Sequence, residues 1–318
     1  MGKKKLSKQQ LQRIHQKQLA YADQDLHQGL VITRGKTKAI VEILGTKTQI
    51  ICNIRADIDS VVVGDMVYWQ HATPTQGVIV AVLARHTELG RHDKYMHFKV
   101  LAANISQMIV VIAPKPAPAT LLLDSYLVAA ACLGVKLAIV FNKTDLDHQA
   151  CLANAYRVQY QQLCDHFITN SQLVPNLCGL QEILVNEQSV VVGQSGVGKS
   201  SIINLILPEL QLATLPLNIM HELGQHTTSN ATLYHLPYGG AIIDSPGVRA
   251  FHVNHVQASE LLWGFKEFRP FIGHCKFRDC CHLKSPHCAI IAAVKQGEIS
   301  AQRYENYVKL KAQFVHND

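Results

Sequence analysis

The stretch Ser189-Val190-Val191-Val192-Gly193-Gln194-Ser195-Gly196-Val197-Gly198-Lys199-Ser200 decides the fold. Its first four residues form a buried-strand run, and Gly193 to Ser200 has the spacing G-x4-G-K-S. Glycines at these places let backbone N–H groups wrap phosphate oxygens, and the helix start that follows adds a favourable dipole. Lys199 is placed to reach β- and γ-phosphates, and the Ser200 hydroxyl to ligate Mg²⁺. Gly193 to Ser200, with Ser201 next on the helix, are therefore expected to bind a nucleotide.

Upstream, residues 135–141 read as a second buried strand that ends in Asn142-Lys143-Thr144-Asp145. The Asp145 carboxylate can accept two hydrogen bonds, from the ring N–H and the amino group of guanine. Adenine offers no such pair and would leave the carboxylate unpaired. Lys143 can lie along the base, and Asn142 can brace the loop. The site reads as GTP or GDP. In an ordinary GTPase the phosphate loop precedes the guanine loop; here the order is reversed, which reads as a circularly permuted α/β domain.

Two further elements follow the phosphate loop. Asp244-Ser245-Pro246-Gly247 is a D-x-x-G element: Asp244 would hold Mg²⁺ through a water, and Gly247 would give its N–H to the γ-phosphate. Gly224-Gln225-His226-Thr227-Thr228 contains a threonine able to complete the Mg²⁺ shell; Thr228 is the first choice, with Thr227 left open. Val248, after Gly247, cannot orient a water, so His226 is the polar candidate for that task.

The remaining chain sorts by rhythm. Residues 1–28 are polar and basic, with Lys3, Lys4, Lys5, Lys8, Arg13 and Lys17 before the first acid, Asp23. They suit a solubilising tail or an arm on RNA phosphates. Residues 30–82 hold five short β-type runs separated by turn residues, the pattern of a small closed barrel, with an OB-fold as first choice and an SH3-like barrel as the alternative. From residue 102 strands alternate with helices, as in a doubly wound sheet. Past residue 251 helical candidates and a cysteine cluster remain. The expected division is 1–28 tail, 29–101 barrel, 102–252 nucleotide domain and 253–318 helical metal-binding domain.

That cluster, Cys275, Cys280, His282 and Cys288, has the spacing C-x4-C-x-H-x5-C. Three thiolates and one imidazole suit a closed, structural tetrahedral Zn²⁺ site, with Cys281, His274 and His287 as spare donors. Crowding of this kind reads as metal ligation in a reducing compartment. The 318 residues are 48% hydrophobic and 17% charged, enough apolar surface for packed cores and too little charge for a disordered chain. The net charge of +7 permits an anionic partner. The apolar run Met108 to Ala113 is far short of the roughly 20 residues a membrane helix needs, and the N-terminus lacks a signal-peptide core, so a cytoplasmic protein without membrane contact is expected.

These motifs together resemble the ribosome small subunit-dependent GTPase A family of circularly permuted GTPases. The resemblance runs from about Gly29 to the C-terminus and includes Ala102-Ala103-Asn104-Ile105-Ser106-Gln107. It implies a multidomain chain: an OB-fold β-barrel, a circularly permuted α/β P-loop GTPase, and a small α-helical zinc-binding domain. It implies a late maturation factor of the 30S ribosomal subunit with low GTPase activity that the subunit stimulates. A monomer that binds 16S rRNA and is released on GTP hydrolysis is the mechanism expected. It also implies a water-positioning role for His226. For the base-backing loop, Thr169-Asn170-Ser171 is the best candidate. The alternative reading is an RNA-binding assembly chaperone gated by GTP and GDP without significant turnover.

Overall fold

The computed structural model describes residues 26–58, 60–92, 98–208, 231–244, 258–283 and 285–315. Five strands come first: β1 (His27–Arg34), β2 (Lys38–Ile43), β3 (Gln49–Ile54), β4 (Met66–Thr73) and β5 (Gln76–Val82). They pair in the order β1-β2-β3-β5-β4, and β1 also pairs with β4, so the sheet closes on itself. Only β3 and β5 run parallel within it. This is the five-stranded barrel expected from residues 30–82. Alternation places Val31, Val41, Cys52, Val67, Trp69 and Ile79 inside. Gly77 is required there, because a Cβ would meet both Trp69 and Cys52 at 2.8 Å.

A hairpin of β6 (Glu88–His92) and β7 (Phe98–Ala103) follows, which the sequence pattern did not suggest. Its strands lack a clear apolar alternation. It is tied to the barrel by Arg85, which donates to the buried Asp65 carboxylate at 2.7 and 2.9 Å and to Glu88 at 3.0 Å.

The α/β part contains β8 (Gln107–Ile112), α1 (Thr120–Leu133), β9 (Lys136–Phe141), α2 (Cys151–Tyr160), β10 (His166–Thr169), α3 (Leu177–Leu184), β11 (Gln188–Gly193), α4 (Lys199–Ile206), β12 (Thr232–His235) and β13 (Ala241–Asp244). The spatial order is β10-β9-β8-β11-β13-β12, parallel except for β12. The chain therefore winds one way from β8 to β10, then returns and winds the other way from β11. The switch point lies between β8 and β11, where ligands bind in doubly wound sheets. Every residue of β8 is buried: Met108, Val110 and Ile112 pack towards α1 and α2, and Ile109 and Val111 towards α3 and α4. Helix α1 stops at Gly134, whose φ of 69° only glycine adopts freely. Helix α2 ends at Tyr160, and Asp165 then turns back to pair with the backbone of Leu137. Helix α3 was not anticipated. It has only eight residues and is capped by Asn176, whose side chain accepts from Gly179 N at 3.1 Å.

The C-terminal part comprises α5 (Ala258–Gly264), a 3₁₀ segment (Lys266–Phe271), α6 (Ala289–Lys295) and α7 (Ala301–Val315). Its core of Leu261, Phe265, Phe268, Ile290, Tyr307 and Leu310 includes Val128 from α1. A buried ion network seals that seam. Arg303 on α7 pairs with Asp124 of α1 and Glu267 of the 3₁₀ segment, each at 2.6 Å. Asn306 and Tyr160 also donate to Asp124, at 2.7 and 3.1 Å. Among the described residues, no helix is long and apolar enough to cross a membrane.

Candidate functional site

Strand β11 ends in the phosphate loop. Gly193, Gly196 and Gly198 have φ of 138°, 79° and 100°, values that L side chains avoid. A Cβ on Gly193 would meet the Val111 carbonyl at 2.3 Å, and one on Gly198 the Asn142 side chain at 2.3 Å. The loop thus needs glycine for close approach to its neighbours as well as for its turn. Helix α4 starts at Lys199, whose ammonium is nearly buried and donates to Gly193 O at 2.7 Å and Gln194 O at 2.5 Å. A cleft of about 500 Å³ opens above it, lined by Lys143, Gln172, Ser195, Gly196, Gly198, Lys199, Ser200 and Ser201.

The guanine loop meets this cleft through side chains. Asn142, at the end of β9, is buried; its Nδ2 donates to Val197 O at 2.9 Å, and its Oδ1 accepts from Asn170 Nδ2 at 2.8 Å. Lys143 adopts a left-handed φ of 57°, and its ammonium donates to Gly196 O at 2.6 Å. The Thr144 hydroxyl donates to Asn170 O at 3.2 Å. Asp145 Oδ1 accepts from Gln172 N at 2.8 Å and from the Ser171 hydroxyl at 3.1 Å. The Gln172 N–H foremost holds its carboxyl below the usual carboxylate range. Two motifs distant in the chain therefore form one wall. Asp244 ends β13, and the register Val190↔Ile243 puts it beside the strand that feeds the phosphate loop. His226, Thr227, Thr228 and Gly247 lie outside the described residues.

The cysteine cluster gathers at the start of α6. One donor atom each from Cys275, Cys280, His282 and Cys288 lies within 4.8 Å of all the others. Cys275 Sγ is 3.8 Å from Cys288 Sγ, and both are 3.5 Å from His282 Nδ1. Metal legs of about 2.3 Å to sulfur and 2.0–2.1 Å to nitrogen give tetrahedral edges of about 3.6–3.8 Å, which the three edges among Cys275, His282 and Cys288 match, and with Cys280 within 4.8 Å the four could hold one zinc ion. The Ala289 N–H points at Cys275 Sγ at 3.3 Å, and the Tyr304 hydroxyl holds the His282 carbonyl at 2.9 Å. Burial pushes the Cys288 thiol up to about 11, so a thiolate there needs a neighbouring cation. The spare donor Cys281 turns to the Ser285 hydroxyl at 3.4 Å, and His274 and His287 are not part of the cluster.

The family model described as RsgA GTPase matches residues 82–254. A relative from Hahella chejuensis, "Small ribosomal subunit biogenesis GTPase RsgA", is 40% identical over 100% of this chain and 98% of its own length. The chain belongs to the RsgA GTPase family. A relative of the same name from Actinobacillus pleuropneumoniae is 40% identical over 98% of this chain and 95% of its own length. Among solved structures, YjeQ from Thermotoga maritima matches with a TM-score of 0.75 at 30% identity, covering 91% of this chain and 99% of that one. YloQ, titled a circularly permuted GTPase, matches with a TM-score of 0.71 at 26% identity, covering 92% and 96%. As an RsgA GTPase the chain is a GTP-hydrolysing enzyme. The fold-class expectation is borne out: a closed five-stranded barrel, a circularly permuted α/β GTPase, and a helical region with a Cys/His cluster that could hold zinc.

Sequence reasoning missed Gln172, which lines the cleft and whose N–H holds Asp145. A signal was present: it follows Thr169-Asn170-Ser171, the stretch picked out for backing the base. Also missed was the loop after β8. Lys115 O accepts from Lys143 Nζ at 3.3 Å, and the side chain of Gln194 accepts from Ala119 N at 3.2 Å, so that loop flanks the phosphate loop. No sequence motif marks it.

Proposed function

We propose that this chain acts in maturation of the small ribosomal subunit, as a late-stage factor that binds 16S rRNA and leaves the 30S particle on GTP hydrolysis. The observation that carries the GTP part is the single wall built by Asn142, Lys143 and the phosphate loop around Lys199. The subunit part is supported by the names of relatives that match nearly the whole chain. The barrel and the net charge of +7 suit contacts with phosphates and nucleic-acid shape.

The proposed assignments follow the motifs. Gly193 to Ser201 hold the phosphates, Lys199 neutralises the β- and γ-groups, and Asp145 reads guanine. Ser200, Thr228 and Asp244 hold Mg²⁺, which when bound offsets the charge that develops on the transferred phosphate. Gly247 gives its N–H to the γ-phosphate, and His226 positions the attacking water. Cys275, Cys280, His282 and Cys288 hold one structural zinc. The division is 1–28, 29–101, 102–252 and 253–318, in a cytoplasmic monomer. A GTPase assay titrated with purified 30S subunits tests the reading. Turnover should rise with subunit concentration, and an unchanged rate would remove the subunit from it. His226→Ala should keep nucleotide binding and lose the stimulated rate.

A further inference from the structure

The two segments expected to sense the γ-phosphate, 224–228 and 244–247, are joined by one hairpin, β12–β13. Its register is Thr232↔Asp244, Leu233↔Ile243, Tyr234↔Ile242 and His235↔Ala241. Thr232, where the chain returns from the first segment, thus lies directly opposite Asp244, where the second begins. Strand β12 ends the GTPase sheet, and its outer side would be a free edge. The barrel occupies that edge.

Strand β1 continues the sheet antiparallel to β12, through Thr33↔Thr232, so that barrel and GTPase strands form one eleven-stranded sheet. The contact is held at three levels. The hydroxyls of Thr33 and Thr232 lie 3.4 Å apart, and Thr33 is buried. His235 Nε2, at the far end of β12, meets Glu42 Oε1 of barrel strand β2 at 2.9 Å. Leu233 and Ile243 of the hairpin share a core with Ile32 and Ile40 of the barrel. Both ends and the buried face of the hairpin therefore rest on the barrel. The C-terminal metal-binding region instead packs on α1, through Val128 and the Asp124–Arg303–Glu267 network.

We infer that Thr33, Glu42 and His235 are positioning residues for GTP hydrolysis, and that a nucleic-acid load on the barrel reaches the nucleotide through β12. The barrel sets where Thr232 and Asp244 stand, and hence where the two γ-phosphate loops start. By reciprocity, the nucleotide state changes the barrel edge. The nucleic-acid part rests on the proposed subunit reading, and the link between barrel and nucleotide on the proposed assignment of 224–228 and 244–247 to the γ-phosphate.

The test has two arms on the full-length protein. In the first, amide hydrogen exchange of the free chain is compared with GDP and with a non-hydrolysable GTP analogue. Peptides covering 27–43 should differ in protection between the two, and Thr33→Val with Glu42→Gln should erase the difference. Equal protection in the unmodified chain overturns the inference. In the second arm, turnover is measured with and without 30S subunits. The double variant should keep nucleotide and subunit binding within about twofold, and lose stimulation by about tenfold, within the 5- to 150-fold range of site–site coupling. Stimulation equal to that of the unmodified chain overturns the inference. If the unmodified chain is not stimulated at all, the subunit reading fails, and the exchange arm still decides the link. Thr33→Val with His235→Gln, acting on the same contact from the other side, should reproduce the double variant's effect in both arms.

Discussion

The nucleotide cleft and the Cys/His cluster are both small knots of polar groups, built by opposite means. In the cleft every deciding contact joins distant parts of the chain: Asn142 to Val197, Asn170 to Asn142, Lys143 to Gly196. A sheet buried on both faces puts those loops side by side. In the cluster all four donors come from Cys275 to Cys288, and little regular structure holds them. The metal would do for that loop what the sheet does for the cleft. The first site should therefore survive loss of any one ligand contact as a folded shape, whereas the second should not.

Four experiments press on that difference. The largest effect is expected from the metal. Chelation, or Cys280→Ser, should withdraw on the order of 10 kcal/mol of zinc binding from the C-terminal region. A zinc-release dye should report one ion per chain, and circular dichroism should report lost helix. Nucleotide affinity should stay within about twofold; a collapse of both would mean that the two regions are one unit. Next, Lys199→Ala removes an ammonium from the phosphates. With about 1.5–3 kcal/mol per charged hydrogen bond and two such bonds, GTP affinity should fall by at least about 100-fold, read by fluorescent-nucleotide titration. The melting temperature without nucleotide should hardly move.

Third, Arg303→Met leaves the buried Asp124 and the partly buried Glu267 without their cation. The cost should be about 3–5 kcal/mol, seen in denaturant unfolding as early release of the C-terminal region from α1. An unchanged midpoint would mean that apolar packing around Val128 alone holds the seam. Smallest is Asp145→Asn. GTP binding should weaken by about 2 kcal/mol, roughly 30-fold, with relative gain for a base carrying a carbonyl in place of the guanine amino group. The pH sign follows from the same residue. Its carboxyl sits below the usual range, so the ionised form is present above that range and is lost only as pH falls through the lowered value. Selectivity for GTP over ATP should therefore be flat across neutral pH.

Both sites were legible, for different reasons. The phosphate loop can be read because few residue types satisfy its backbone angles and its phosphate contacts at once. The cluster can be read because zinc demands particular donors at short spacing. The five short strands of the barrel were legible too, since β-type runs and the turn residues between them act locally. Helix α3 and the β6–β7 hairpin were not. The first is short and held by its cap and its packing on the sheet; the second is held by Arg85 reaching Asp65. Neither leaves a periodic trace in its own residues.

What the sequence determined by itself was the order of its motifs and their chemical character: residues suited to phosphate, guanine and zinc. What only the tertiary structure decided was adjacency. The spatial order β10-β9-β8-β11-β13-β12 sets Asn142 against Val197 regardless of which comes first in the chain, because strand pairing depends on edges and not on chain order. The same physics placed the barrel on β12 and the metal-binding region on α1. An open sheet edge and an apolar helix face each need a partner, and the chain's own flanking regions supply both.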